Sequence, residues 1–154
     1  MRNERDQDAD DRALHIEGSR SGIVIANSTF SNISSKEASA IYFNAAGEKD
    51  GSAAITVQNC TFFNNSAYAG GAVVIKDSES IAFVNNSFIS NKAINYDHNK
   101  FVSIQEEQNS FRGGAIYINN NRKRDSTREN AKGCILCKVV FERGNIFKDN
   151  FAAI

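Results

Sequence analysis

Four phenylalanines, Phe30, Phe62, Phe88 and Phe147, sit in nearly the same surroundings, and this internal repeat constrains the chain more than any single motif. Phe30 follows Gly-Ile-Val-Ile-Ala-Asn-Ser-Thr, Phe62 follows Ala-Ile-Thr-Val-Gln-Asn-Cys-Thr, and Phe88 follows Ser-Ile-Ala-Phe-Val-Asn-Asn-Ser. Seven positions before the Phe stands an aliphatic residue (Ile23, Ile55, Ile81), and five before it another large apolar one (Ile25, Val57, Phe83). Three before it stands asparagine (Asn27, Asn59, Asn85). The copy at Phe147 fits with one extra residue, through Val139, Phe141 and Asn145. Apolar residues alternate with polar ones, which is the period of a strand with one buried face.

The downstream half repeats as well. Phe62 leads through Asn65 to Gly70-Gly71-Ala72-Val73-Val74-Ile75, and at the same offset Phe30 leads to Ala38-Ser39-Ala40-Ile41-Tyr42-Phe43. Phe88 leads through Asn91 to Gly113-Gly114-Ala115-Ile116-Tyr117-Ile118 after about seventeen inserted residues, and Phe147 through Asn150 begins a fourth copy. Each unit holds three short extended pieces separated by Asn or Gly turns, with no helical stripe. One unit cannot bury its apolar side, whereas stacked units can, each strand pairing with its equivalent ~4.8 Å away. That predicts an all-β parallel β-helix, a solenoid of about 3.5 to 4 coils, the coils spanning 21–52, 53–78, 79–136 and from 137 onward. A β-sandwich also alternates, but it does not require the same residue types at the same offsets in every strand.

The stacking model makes specific assignments. Ile23, Ile55 and Ile81 form one internal column, and the four phenylalanines another. Ile41, Phe43, Val73, Ile75, Ile116 and Ile118 point inward, leaving Tyr42, Val74 and Tyr117 as an outer stripe. Asn27, Asn59 and Asn85 take left-handed turn geometry, and their amides form an internal ladder. Gly70, Gly71, Gly113 and Gly114 make a tight corner. Residues 1–13 are expected to be a disordered polar tail, with Leu14-His15-Ile16 as the last strand of a preceding coil. The repeats are expected to occupy 14–154 and to stop mid-coil, leaving Phe147 and Phe151 on an open edge that permits end-to-end β association. The chain thus reads as a fragment of a longer stack.

Paired Phe-x-x-Asn and Gly-Gly-Ala-(Ile/Val) tetrapeptides, alternating along a chain, resemble the repeats of chlamydial-type polymorphic outer membrane proteins. The resemblance covers roughly residues 23–154; it is strong at 62–75, interrupted at 88–118 and partial at 147–154. The first copy departs from it, with Ile33 in place of the Asn and Ala38-Ser39 in place of Gly-Gly. The family implies a right-handed β-helix stalk in adhesin-like or autotransporter-passenger proteins at the cell surface or outside the cell.

Composition excludes several other classes. The 18 basic and 18 acidic residues cancel, which gives no footprint for nucleic acid. No apolar run approaches the ~18–20 residues of a membrane helix, and the charged Met1–Arg12 segment is unlike a signal peptide. Three cysteines are too few for a disulfide scaffold.

Motifs with chemical potential resolve into structural readings. Cys134 and Cys137 have metal-ligand spacing, but the remaining ligands, Cys60, His15 and His98, are scattered. Asp6, Asp8, Asp10 and Asp11 with Glu17 mimic a calcium loop, yet Asp11 stands where the turn needs glycine, so an acidic tail is the better account. Arg122, Lys123, Arg124, Arg128 and Lys132 make a basic loop interrupted by Asp125 and Glu129; a contact to an anionic glycan is its alternative role. Asn-x-Ser/Thr occurs at Asn27, Asn32, Asn59, Asn64 and Asn85, of which Asn32 and Asn64 are the acceptors compatible with an internal ladder.

β-helix enzymes need acids at equal repeat offsets, and Asp50, Asp77, Asp97 and Asp149 fall at unrelated ones. No catalytic, cofactor-binding or metal-binding residue is therefore assigned. The expected role is a non-catalytic stalk presenting loops 94–112 and 119–133 to a protein or glycan, without nucleic acid or a membrane span. The alternative is a fragment of a carbohydrate-active β-helix, pectate lyase-like or polygalacturonase-like, whose active coils lie elsewhere. A far-ultraviolet circular dichroism spectrum should be dominated by β-structure; a helix content above about a quarter would end the β-helix reading.

Overall fold

Inward residues at matching offsets find each other. The computed structural model describes residues 12–17, 22–35, 40–44, 54–76, 80–94, 113–119 and 138–152, none of them helical. Coil one holds β2 (Ile23–Ala26), β3 (Thr29–Ser31) and β4 (Ile41–Asn44). Coil two holds β5 (Ala54–Gln58), β6 (Thr61–Phe63), β7 (Ser66–Ala67) and β8 (Val73–Lys76). Coil three holds β9 (Ser80–Val84), β10 (Ser87–Ile89), β11 (Lys92–Ala93) and β12 (Ile116–Asn119). Coil four holds β13 (Lys138–Phe141), β14 (Ile146–Lys148) and β15 (Phe151–Ala152), while β1 (Leu14–Glu17) precedes coil one.

Every pairing is parallel and joins equivalent strands of successive coils. The first sheet runs β2-β5-β9-β13, the second β3-β6-β10-β14, the third β7-β11-β15 and the fourth β1-β4-β8-β12. This is a right-handed parallel β-helix of roughly four coils. The registers are those of the repeat: Ile23 pairs with Ile55 and Ile55 with Ile81, Phe30 with Phe62, Phe62 with Phe88, and Phe88 with Phe147. Leu14 pairs with Ile41, which makes Leu14–Glu17 the strand above coil one in the fourth sheet. The unit has four extended pieces rather than three, because the two-residue strands of the third sheet carry no apolar pattern long enough to see in the sequence.

The core consists of vertical columns. Phe30, Phe62, Phe88 and Phe147 stack with centroids 5.1, 4.6 and 4.8 Å apart and planes within 7°. Phe83 stacks on Phe141 at 5.2 Å and meets Phe88 edge-on at 5.9 Å, which ties the two aromatic columns together. Each such pair adds ~0.5–1.5 kcal/mol beyond the area it buries. Ile41, Phe43, Val73 and Ile75 are fully buried, and Ile116 packs against the same core. Ile118 keeps the predicted phase but is 40% exposed, because β12 has no strand below it among the described residues.

The predicted outer stripe is not exposed. Tyr42 and Val74 are buried in a second small cluster with Ala69, against which Tyr117 packs. Arg12 and Lys76 lie over the Tyr42 ring at 4.4 and 5.2 Å, and His15 meets it edge-on at 5.0 Å. The middle strands of the fourth sheet, β4 and β8, are therefore covered on both faces, which period-two alternation alone could not reveal.

The Gly-Gly corner divides its labour. Gly70 and Gly113 adopt φ of +55° and +64°, a region costly for other residues. Gly71 and Gly114 are needed for space: a Cβ on Gly71 would lie 2.1 Å from the Gly114 carbonyl oxygen, and one on Gly114 would lie 2.6 Å from the Phe151 backbone.

Phe62 is 0% exposed between two aromatic neighbours. Phe62→Ala should cost about 3–5 kcal/mol in a denaturant melt. Tyr117→Ala, outside the main core, should cost less than half as much; equal losses would refute the assigned phase.

Candidate binding surface

Left-handed turn residues decide which side chains face out. Asn27, Asn59 and Asn85 all have φ of 52°, and the second turn uses Asn32, Asn64, Ser90 and Asp149 at φ between 51° and 57°. Asparagine tolerates this region better than most residues. A left-handed residue turns the corner and shifts the inward phase by one, so inward positions run 23, 25, then 28, 30, then 33, 35 in coil one. The asparagines at the corner consequently project outward, contrary to the internal ladder predicted for them. Asn27, Asn59 and Asn85 are exposed, with Asn85 Nδ2 donating to Asn59 Oδ1 at 2.8 Å. Asn64 Nδ2 donates likewise to Asn32 Oδ1 at 2.8 Å. All five Asn-x-Ser/Thr asparagines thus stand outside, and the steric reason for excluding Asn27, Asn59 and Asn85 as acceptors falls away.

The internal ladders belong to the next residue along. One column is Ser28, Cys60, Asn86 and Asn145; the other is Ile33, Asn65, Asn91 and Asn150. Asn91 is completely buried. Its Oδ1 accepts from the Asn65 N–H at 3.2 Å and from Asn65 Nδ2 at 2.9 Å. Its Nδ2 donates to the Phe62 carbonyl and to Asn150 Oδ1, both at 3.0 Å. All four bonding positions of the amide are filled. Asn145, predicted to align with Asn27, Asn59 and Asn85, instead bonds Asn86, and Gly144 at φ +83° lies against Asn85. The extra residue of coil four is a bulge at the corner between Phe141 and Ile146.

The remaining sequence candidates separate. Cys60 is buried and free; its single S–H has the Gln58 carbonyl at 3.2 Å and the Ile25 carbonyl at 3.6 Å within reach, filling a ladder position. Glu17 lies on β1, and its Oε1 meets His15 Nε2 at 3.1 Å. Asp149 is an exposed turn residue. Asp6, Asp8, Asp10, Asp11, Asp50, Asp77, Asp97, His98, Cys134, Cys137 and the basic loop at Arg122, Lys123, Arg124, Arg128 and Lys132 lie outside the described residues. So do nearly all of loops 94–112 and 119–133 and most of the 1–13 tail. Among the described residues no group of three or more His, Cys, Asp or Glu is placed to hold a metal, and no helix is long and apolar enough to cross a membrane.

What the geometry does assemble is a face without charge. Over the first two sheets, coils one to three carry no Asp, Glu, Lys or Arg. The face presents the two outer amide ladders, hydroxyls at Thr29, Thr56 and Thr61, and apolar groups including Val24, 60% exposed, and Phe63, 43% exposed. Charge returns in coil four with Glu142, Arg143, Lys148 and Asp149. Such a surface can hydrogen-bond and stack on an uncharged polar partner with no Coulombic contribution. The sequence concealed it because its defining feature is a blank, spread over three segments.

Removing an inner amide should differ sharply from removing an outer one. Asn91→Ala strands the partners in coils two and four and should cost about 2–4 kcal/mol. Asn64→Gly, which keeps the left-handed turn, should stay within about 1 kcal/mol. Paired urea melts distinguish the two, and comparable losses would refute the division into inner and outer ladders. Compared with family models, curated proteins and solved structures, the chain matches none.

Proposed function

We propose that the chain is a non-catalytic segment of a cell-surface or extracellular β-helix, an adhesin-like or passenger-like stalk of the kind that chlamydial-type polymorphic outer membrane proteins contain. The observation that carries this reading is the use of the inward asparagines. Asn65, Asn86 and Asn91 are fully buried and hydrogen-bonded to neighbouring coils, so the polar groups that repeat through the core hold the stack together. Recognition then falls to outward positions: the uncharged face of the first two sheets, and loops 94–112 and 119–133. The partner class suited to that face is a neutral glycan or an uncharged protein surface.

Immobilised protein probed with neutral glycans and with extracellular proteins tests this. Saturable binding to one of them is expected, changing less than about twofold between 50 and 500 mM salt because no charge on the face is there to be screened. Phe63→Asp should weaken binding at least about tenfold, the loss expected of a buried aromatic anchor, and leave the melting midpoint unchanged. Binding that survives Phe63→Asp but is lost on replacing residues 95–112 would place the contact on the loops. No binding to any probe would sink the reading, and new reducing ends or unsaturated products from pectin would move the chain to the carbohydrate-active class.

A further inference from the structure

One rung of the uncharged face holds a complete set of oriented groups. The outward positions of coil two over the second sheet and its corners are Asn59, Thr61, Phe63 and Asn64, of which Asn59, Phe63 and Asn64 are exposed. The outer ladders fix both amides. Asn59 Oδ1 accepts from Asn85 Nδ2 of coil three at 2.8 Å, which leaves Asn59 Nδ2 to donate outside the ladder. Asn64 Nδ2 donates to Asn32 Oδ1 of coil one at 2.8 Å, which leaves Asn64 Oδ1 to accept outside it. Neither of these outer atoms, nor the Thr61 hydroxyl, has a hydrogen-bond partner among the described residues. The neighbouring rungs lack the set. Coil one has Thr29 and Ser31 but no outward aromatic there, and coil three has Ser87, Ile89 and Ser90, with Asn85 Nδ2 already committed.

Charge and strand pairing narrow what this rung can hold. No Asp, Glu, Lys or Arg lies on the first two sheets in coils one to three, so an ionic partner gains nothing there. Both edges of β6 are occupied, by β3 and β10, so a peptide cannot add as a strand and pair its backbone. Contact must run through side chains: a donor at one end, an acceptor at the other, a hydroxyl and a flat ring between. Sugar hydroxyls both donate and accept. The axial C–H bonds of an equatorially substituted pyranose form a flat face that suits the negative face of an aromatic ring. Asn59 and Asn64 are at most about 17 Å apart, a span of about three linked pyranose rings.

We infer, resting on the binding role proposed above, that the outer rung of coil two is a subsite for an uncharged, equatorially linked oligosaccharide laid along β6. One ring stacks on Phe63 and donates a hydroxyl to Asn64 Oδ1. The Thr61 hydroxyl bonds the next ring, and Asn59 Nδ2 donates to the far end. The ladder bonds hold both amides before a ligand arrives, so binding loses little to their ordering.

Cellotetraose, titrated into the full chain and followed by side-chain NMR, is the probe. Saturable shifts are expected at the Asn59 and Asn64 amides and at the Phe63 ring. Asn59→Gly and Asn64→Gly keep the left-handed corners, and each should weaken binding about threefold to tenfold, the loss of one hydrogen bond. Phe63→Leu, apolar but not flat, should lose a similar factor, whereas Phe63→Trp should retain binding. Ser90→Gly, at the equivalent corner of coil three, should change Kd less than about twofold. No binding of cellotetraose, or binding that the coil-two variants leave intact, would overturn the inference, even where a neutral protein binds through Phe63 and the non-catalytic reading stands. Cellotetraose bound on coil two and cleaved would overturn that reading and keep the subsite.

Discussion

A single left-handed residue at each corner controls the coil. Asn27, Asn59 and Asn85, with φ of 52°, break the strict alternation of the first strand and restart it one residue later. Without that shift the inward phase set by Ile23 and Ile25 would run through Asn27 and Thr29, and the Phe30 ring would point to solvent. With it, Ser28, Cys60 and Asn86 turn inward and the phenylalanines follow two residues on. Gly144 performs the same turn in coil four with one more residue in the corner, and Phe147 still arrives under Phe88 at 4.8 Å.

The buried amides become intelligible from that corner. The core of a β-helix exposes turn backbone to its own interior, where unpaired N–H and C=O groups are costly. The asparagine column answers this coil by coil, each amide pairing with the N–H and carbonyl of the turn above. Aliphatic and aromatic columns supply the apolar burial between the turns. Packing and polar satisfaction are thereby coupled: moving one phenylalanine out of register would also break the ladder beside it. Where Cys60 replaces asparagine in the second coil, its thiol still reaches the Ile25 carbonyl, at 3.6 Å.

The same arrangement bears on function. The asparagines of the inner columns are held inside by hydrogen bonds, while the outward face of the first two sheets carries the outer amides, hydroxyls and scattered apolar groups. Under the proposed stalk-like role, the stack supplies rigidity and its outside the contact.

Much of the architecture was legible in the residues, because a parallel solenoid places equivalent positions directly over one another and so writes its register into the repeat. The Phe and Ile columns and the extra residue in coil four followed from offsets alone, and Leu14-His15-Ile16, expected as the last strand of a preceding coil, pairs with β4 as part of Leu14–Glu17. Other features did not follow. Which of two adjacent residues, Asn59 or Cys60, Asn64 or Asn65, faces inward depends on a backbone dihedral at the corner, and strand periodicity carries no information about it. Tyr42 and Val74 alternate correctly with their inward neighbours, yet they are buried because Ala69 and other groups close over the outer face of the fourth sheet. Sequence determined the register, since identical side chains gain most by stacking on themselves; only tertiary structure decided the inside and outside of each turn, since that rests on φ values and on chain segments packing from elsewhere.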